Sequence, residues 1–114
     1  MNIENVKSQM RKGMLEYCIL LLLQHKAAYT SDIIQKLKAA DLLVVEGTLY
    51  PLLTRMKNGG LLKYEWQEST QGPPRKYYAL TEQGHHSLVE LDKAWGEISN
   101  TIGLLKQLNN QSTK

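Results

Sequence analysis

Apolar residues at Val6, Met10, Met14, Leu15, Cys18, Ile19, Leu22 and Leu23 recur at helical spacing and spread to all faces near Gln24, which predicts a first helix that is mostly buried. Lys26 to Tyr29 interrupts the pattern. Thr30 or Ser31 then offers an N-cap for a second helix, with Asp32 in its first turn beside the free backbone N–H groups and Ile33, Ile34 and Leu37 on its buried side. After a turn over residues 39–45, Leu49, Leu52, Leu53 and Met56 take the i, i+3, i+4 and i+7 positions of a third helix, from Glu46 to Asn58, which Gly59 and Gly60 end. Pro51 lies inside it and lacks an N–H, but the carbonyl that its ring crowds belongs to Gly47 in the first turns, so the helix continues with a bend at most.

Beyond the glycines the period falls to two. Leu62, Tyr64 and Trp66 alternate with Lys63, Glu65 and Gln67, the pattern of a half-buried strand, and a second strand is expected from Arg75 to Leu80. The connection from Glu68 to Pro74 is polar and too long for a two-residue turn, so it is expected to project as a loop. From Thr81, the expected N-cap, the helical period returns for about 27 residues, or about 40 Å. Leu88, Leu91, Trp95, Ile98, Ile102 and Leu105 follow one another at intervals of 3, 4, 3, 4 and 3 residues. That is the seam of a coiled coil, and it requires a partner helix. Asn109 to Lys114 reads as a polar, frayed tail.

Composition narrows the function classes. The 114 residues suit one domain with an appended element. The longest apolar run, Tyr17 to Leu23, is far short of the roughly 20 residues that span a bilayer. Polar residues such as Glu4, Lys7, Arg11 and Lys12 break any secretory leader. A cytoplasmic protein without a membrane partner is therefore expected. The single cysteine, Cys18, supports neither an intrachain disulfide nor a four-thiolate zinc site, and no cofactor is expected. The net charge of +3 is unevenly spread: residues 1–80 carry 11 basic and 7 acidic groups, residues 81–114 carry 3 and 4. A basic head and a nearly neutral helix suggest two tasks, one of them with an anion.

Three helices followed by a two-stranded hairpin is the order of a winged helix-turn-helix, whose third helix enters the DNA major groove and whose hairpin touches the backbone. The expected fold is thus mainly α with a small β-hairpin, a DNA-binding head over residues 1–80 and a C-terminal dimerisation helix with a short tail over residues 81–114. Opposite the apolar stripe of the third helix lie Thr48, Pro51 and Arg55, flanked by Tyr50, Thr54 and Lys57. Arginine can reach guanine bidentately and hydroxyls can bond phosphates or bases; a plain solvated helix face accounts for the same residues. Arg75 and Lys76 beside Gly72-Pro73-Pro74 would bring two cations near a phosphate, or simply decorate the surface. Glu82, His86 and Glu90 share one helical face that could hold a divalent metal or merely be solvated, and Cys18 in an apolar helix is a small hydrophobe before it is a redox sensor. No catalytic constellation is present in the sequence, and no enzyme is expected.

Three stretches together resemble the PadR family of bacterial transcriptional regulators: Gly13 to Leu20, Gly47 to Met56, and Gly72 to Gly84, in the right order and each on the element expected from its periodicity. The resemblance covers about residues 10–86. It implies a homodimeric repressor that binds double-stranded DNA, with winged-helix heads and, at this length, a single C-terminal dimerisation helix. It also implies loss of DNA affinity when a small molecule binds. Carried over by position, Thr48, Tyr50 and Pro51 fall in the recognition helix, and Gly72, Arg75 and Lys76 fall in the wing; Tyr77 and Tyr78 are expected to pack between wing and core. Two residues depart from the family pattern: Val45 stands where a capping Ser, Thr, Asn or Asp is usual, and Thr30 where a Gly often follows Tyr29.

Trp95 stands at the centre of the expected seam, where an indole is larger than coiled-coil packing usually admits. Either it is interface core or two symmetry-related copies hold the helices apart and form an apolar slot for a small aromatic or cationic effector. The alternative to DNA binding is a winged-helix module that engages another protein, which steep salt dependence would argue against.

Overall fold

The computed structural model describes residues 1–42, 44–70 and 72–112, without the side chains of 111 and 112. Helix α1 spans Ile3–Leu23, α2 Thr30–Ala39, α3 Glu46–Asn58 and α4 Glu82–Ser112, with strands β1 at Ala28–Tyr29, β2 at Leu62–Ser69 and β3 at Gly72–Leu80. The strands form one antiparallel sheet in the order β1-β3-β2.

Helix α1 starts three residues before the apolar spacing does, because the Asn2 side chain accepts a hydrogen bond from the Asn5 N–H at 3.1 Å and caps it. Only its second half is buried, through Leu15, Ile19, Leu20 and Leu23, whereas Ile3, Val6 and Met10 are exposed. This corrects the expectation of a mostly buried helix: the rest of the head covers the later turns alone. Helix α2 begins one residue sooner than expected, with Tyr29 rather than Thr30 or Ser31 at the N-cap. Tyr29 is still extended as it leaves β1, and Asp32 Oδ2 accepts from its backbone N–H at 3.2 Å.

Strand β1 was not legible in the sequence, since two residues show no alternation. It pairs Ala28 with Tyr78 and Tyr29 with Tyr77. The hairpin also differs from expectation. The strands run on from the Leu62–Leu80 pair to Ser69–Gly72, so most of the segment expected to be a loop is strand; Gln71 lies outside the described residues. The register shifts between Gln67 and Ser69, setting Glu68 against Pro73 and Pro74. A bulge of this kind tolerates residues that cannot donate to a ladder, and β1 has ended before the prolines begin, so no neighbour needs their N–H.

Leu20, Ile33, Leu49, Leu53, Met56 and Leu62 meet in one core, joined by Tyr78 and Leu80 from β3. Tyr78 therefore packs as expected, but Tyr77 projects from the opposite face of the sheet against Tyr29, ring centroids 4.8 Å apart. Thr81 ties the base of the hairpin to α4: its hydroxyl oxygen accepts from the Gly84 N–H at 2.9 Å and lies 2.5 Å from the Gly60 carbonyl, to which it donates. Helix α4 then continues through Ser112, so Asn109 to Ser112 is helical rather than a frayed tail; residues 113 and 114 lie outside the described residues.

Candidate nucleic-acid interface

The stripe of α3 formed by Leu49, Leu52, Leu53 and Met56 is buried, which turns Thr48, Tyr50, Pro51, Thr54 and Arg55 outward. Pro51 is accommodated within the helix. The exposed residues divide between two hollows. Tyr50 and Thr54 face the hairpin across a cleft of about 340 Å³, whose other walls include Trp66, Pro74, Arg75 and Lys76. Thr48, Pro51 and Arg55 line a second hollow, of about 280 Å³, against Lys12 and Glu16 of α1. The structure thus brings Tyr50, Arg75 and Lys76 together and places Arg55 apart from them. Gly72 lies beyond both, at the tip of the hairpin.

No acidic side chain lines the larger cleft. The two cations of its lining lean on aromatic rings on opposite faces of the hairpin, Arg75 on the Tyr29–Tyr77 face and Lys76 on the Tyr64–Trp66 face. The Arg75 guanidinium lies 4.1 Å from the centroid of the Tyr29 ring, and Lys76 Nζ lies 4.5 Å from that of Tyr64 and 5.4 Å from that of Trp66. Such contacts leave the charge available to an anion while limiting the side chain's freedom. Tyr29 is itself fixed by donating its hydroxyl proton to Gln67 Oε1 at 2.6 Å. Arg55 Nη2 reaches Glu16 Oε1 at 3.9 Å, but both side chains are largely exposed, and so loose a pair contributes little and yields readily to another partner.

Val45 precedes α3 with extended backbone and gives no side-chain cap; its carbonyl accepts from the Thr48 and Leu49 N–H groups at 3.0 and 3.1 Å. The N–H groups of the first turn are left to solvent or to a ligand.

Along α4 the seam residues separate into two groups. Leu88 is 2% exposed, inside the head's own core, and Leu91 is half-buried against it. This corrects the expectation that Leu88 faces a partner: it belongs to the one core that the helices and the sheet of the head build, whereas α1 meets α4 further along, at Leu91, Asp92 and Trp95. Trp95, Ile98, Ile102 and Leu105 remain about half exposed. Trp95 stands beside a shallow hollow of about 130 Å³ with Met14, Tyr17, Leu91 and Ile98. Tyr17 donates its hydroxyl proton to Asp92 Oδ1 at 2.5 Å, bracing α1 on α4, and that bond to a carboxylate raises the phenol's pKa. Burial raises the pKa of the Cys18 thiol, which disfavours the nucleophilic thiolate. Among the described residues no three His, Cys, Asp or Glu side chains gather as a metal site, so Glu82, His86 and Glu90 remain a dispersed polar face.

Residues 19–90 match the transcriptional regulator PadR-like family. The chain belongs to the PadR-like family. A PadR-like transcription factor from Bacteroides fragilis is 68% identical, the match covering 89% of this chain and 98% of that one with a TM-score of 0.77. A PadR family transcriptional regulator from Eggerthella lenta is 30% identical over 90% of each chain with a TM-score of 0.83. Bacillus subtilis PadR, solved in complex with operator DNA, shares the fold at 24% identity and a TM-score of 0.63, over 68% of this chain and 45% of that protein.

The PadR-like match ends at residue 90, so it includes α3 and the whole hairpin but stops short of the exposed half of the α4 seam. Two residues of the larger cleft escape sequence reasoning. Tyr29 reads as part of a break, because only its pairing with Tyr77 places it under Arg75. Trp66 reads as the third member of an inward row, since alternation specifies a face and not where the core beneath that face ends.

Proposed function

We propose that this transcriptional regulator is a homodimeric repressor that binds an inverted-repeat operator in double-stranded DNA, with α3 in the major groove and the hairpin as a wing on the backbone. The observation that carries the reading is the acid-free cleft in which Tyr50 of α3 faces Arg75 and Lys76 of β3. A phosphodiester strand running between α3 and the wing meets Lys76 in the cleft, Arg75 standing at the wing's other face, with Thr48, Tyr50, Pro51 and Arg55 turned towards the groove and Gly72 allowing close approach at the tip. Pairing through Trp95, Ile98, Ile102 and Leu105 relates two heads by a twofold axis, which sets the recognition helices about 34–36 Å apart along one side of the duplex. Residues 1–80 then act as the reading head and residues 81–114 as the dimerisation helix. A small planar aromatic or cationic effector held between the two Trp95 side chains would alter the spacing of the heads and release the DNA.

Selection of bound fragments from a random duplex library, followed by affinity measurements across a salt series, tests the reading. The expected outcome is an enriched inverted repeat whose affinity falls steeply as salt rises; a chain that enriches no duplex refutes it. On the selected operator, Arg55→Ala is expected to relax base preference at one position of each half-site, at a cost of about 1–3 kcal/mol, while Lys76→Ala weakens all duplexes alike and lowers the salt slope by about one. Equal effects from both would contradict the assigned roles. Binding is also expected to slow amide exchange at Glu46 and Gly47, where Val45 leaves the helix uncapped.

A further inference from the structure

Trp66 is 61% exposed although it stands on the same face of β2 as buried Leu62 and half-buried Tyr64. The row that starts in the core therefore runs out past its edge into the cleft that Tyr50, Thr54 and Pro74 share. Within the chain the indole meets Tyr64 edge-on at 6.1 Å and Lys76 Nζ at 5.4 Å. A large aromatic left in water at this place contributes little of the stabilisation that its area could give to folding, and an occupant of the cleft would gain that burial instead. The surroundings specify the occupant. The lining carries two cations and the hydroxyls of Tyr50 and Thr54 and no acid, and it is continuous with the outward face of α3. Those are donors for a polyanion, and the apolar surface that accompanies a phosphate chain in duplex DNA is the C–H face of the deoxyribose.

We infer that Trp66 is a DNA-contacting residue whose indole packs on a deoxyribose of the strand passing between α3 and the wing, an inference that rests on the DNA reading above. Lys76, held against the same ring, neutralises the adjacent phosphate, so the two form one contact with an apolar and a charged half. Sugar contacts carry no base identity, and Trp66 accordingly sets affinity and register rather than sequence preference.

The test compares wild type, Trp66→Ala, Trp66→Phe and Lys76→Ala on a duplex selected by the wild-type chain, with thermal unfolding followed in parallel. Trp66→Ala is expected to bind about tenfold more weakly with an unchanged salt slope, because an indole releases no counterion, and Trp66→Phe is expected to recover most of the loss. Wild-type indole emission is quenched by the duplex, and the Trp66→Phe protein loses that response. Unchanged affinity of Trp66→Ala overturns the inference, whatever else the indole binds. So does a loss accompanied by a flatter salt slope, which would make Trp66 only a prop for Lys76. If the wild-type chain binds no duplex at all, the failure belongs to the functional reading; if it binds and Trp66→Ala matches it, this inference alone falls.

Discussion

If the proposed dimer is right, Ile98→Glu is expected to give a monomer that retains a folded head and loses at least about 100-fold in affinity for a two-half-site operator. Ile98 is exposed and lies one helical turn beyond Trp95, with Ile102 and Leu105 continuing the row. Each leaves apolar area that no other described residue covers, and in the proposed dimer a carboxylate placed in that row faces its own symmetry mate across the twofold axis in a desolvated seam. Since a dimer converts the second half-site encounter into an intramolecular one, separating the heads forfeits a factor of about 10²–10⁴ without altering a single DNA contact. Sedimentation velocity together with binding to whole and half operators checks the prediction. A dimeric Ile98→Glu protein would place the interface elsewhere. The head's core should be untouched, because Leu88 is buried in it and Ile98 is not.

Gly84→Ala is expected to cost about 3 kcal/mol or more, at the upper end of overpacking substitutions. A Cβ built at Gly84 would stand 2.2 Å from the Leu61 carbonyl oxygen and 3.2 Å from its carbon. Neither atom is free to yield, because Leu61 is backbone of the hairpin's base and its carbonyl already accepts from the Thr81 N–H at 3.1 Å. The methyl group therefore prises the first turn of α4 off the hairpin, where Thr81 otherwise locks the two together. Gly96→Ala supplies the contrast: nothing lies within 4 Å of its Cβ, and it should stabilise the helix by about 0.5–1 kcal/mol. Chemical denaturation of the two variants beside wild type reads both effects. Similar midpoints would show that the close approach at Gly84 relaxes at no cost.

The elements that repeat a pattern over several turns were legible in the sequence. Helix α3 is found at Glu46–Asn58 as its apolar spacing requires, with Pro51 inside, and the long final helix is present with Thr81 at its start. Elements that depend on distant partners were not. Strand β1 exists because β3 passes beside it, and the extra length of the hairpin depends on a bulge that places Pro73 and Pro74 where no ladder needs them. The same limit applies to the candidate site. Arg75 and Lys76 were legible as cations of the wing, but the rings of Tyr29, Tyr64 and Trp66 beneath them come from β1 and β2.

By itself the sequence determined the order of helices and hairpin, the basic head and near-neutral tail, and the family, because helical period, capping residues, charge and motif spacing are properties of neighbours along the chain. Only the tertiary structure decided which members of each apolar row are covered. It buried Leu88 and left Trp95, it hid Tyr78 and left Trp66 in the cleft, and it exposed the first half of α1. Periodicity assigns a residue to a face; whether that face meets protein or water depends on how far the neighbouring elements extend, and that is settled by packing among residues remote in the chain.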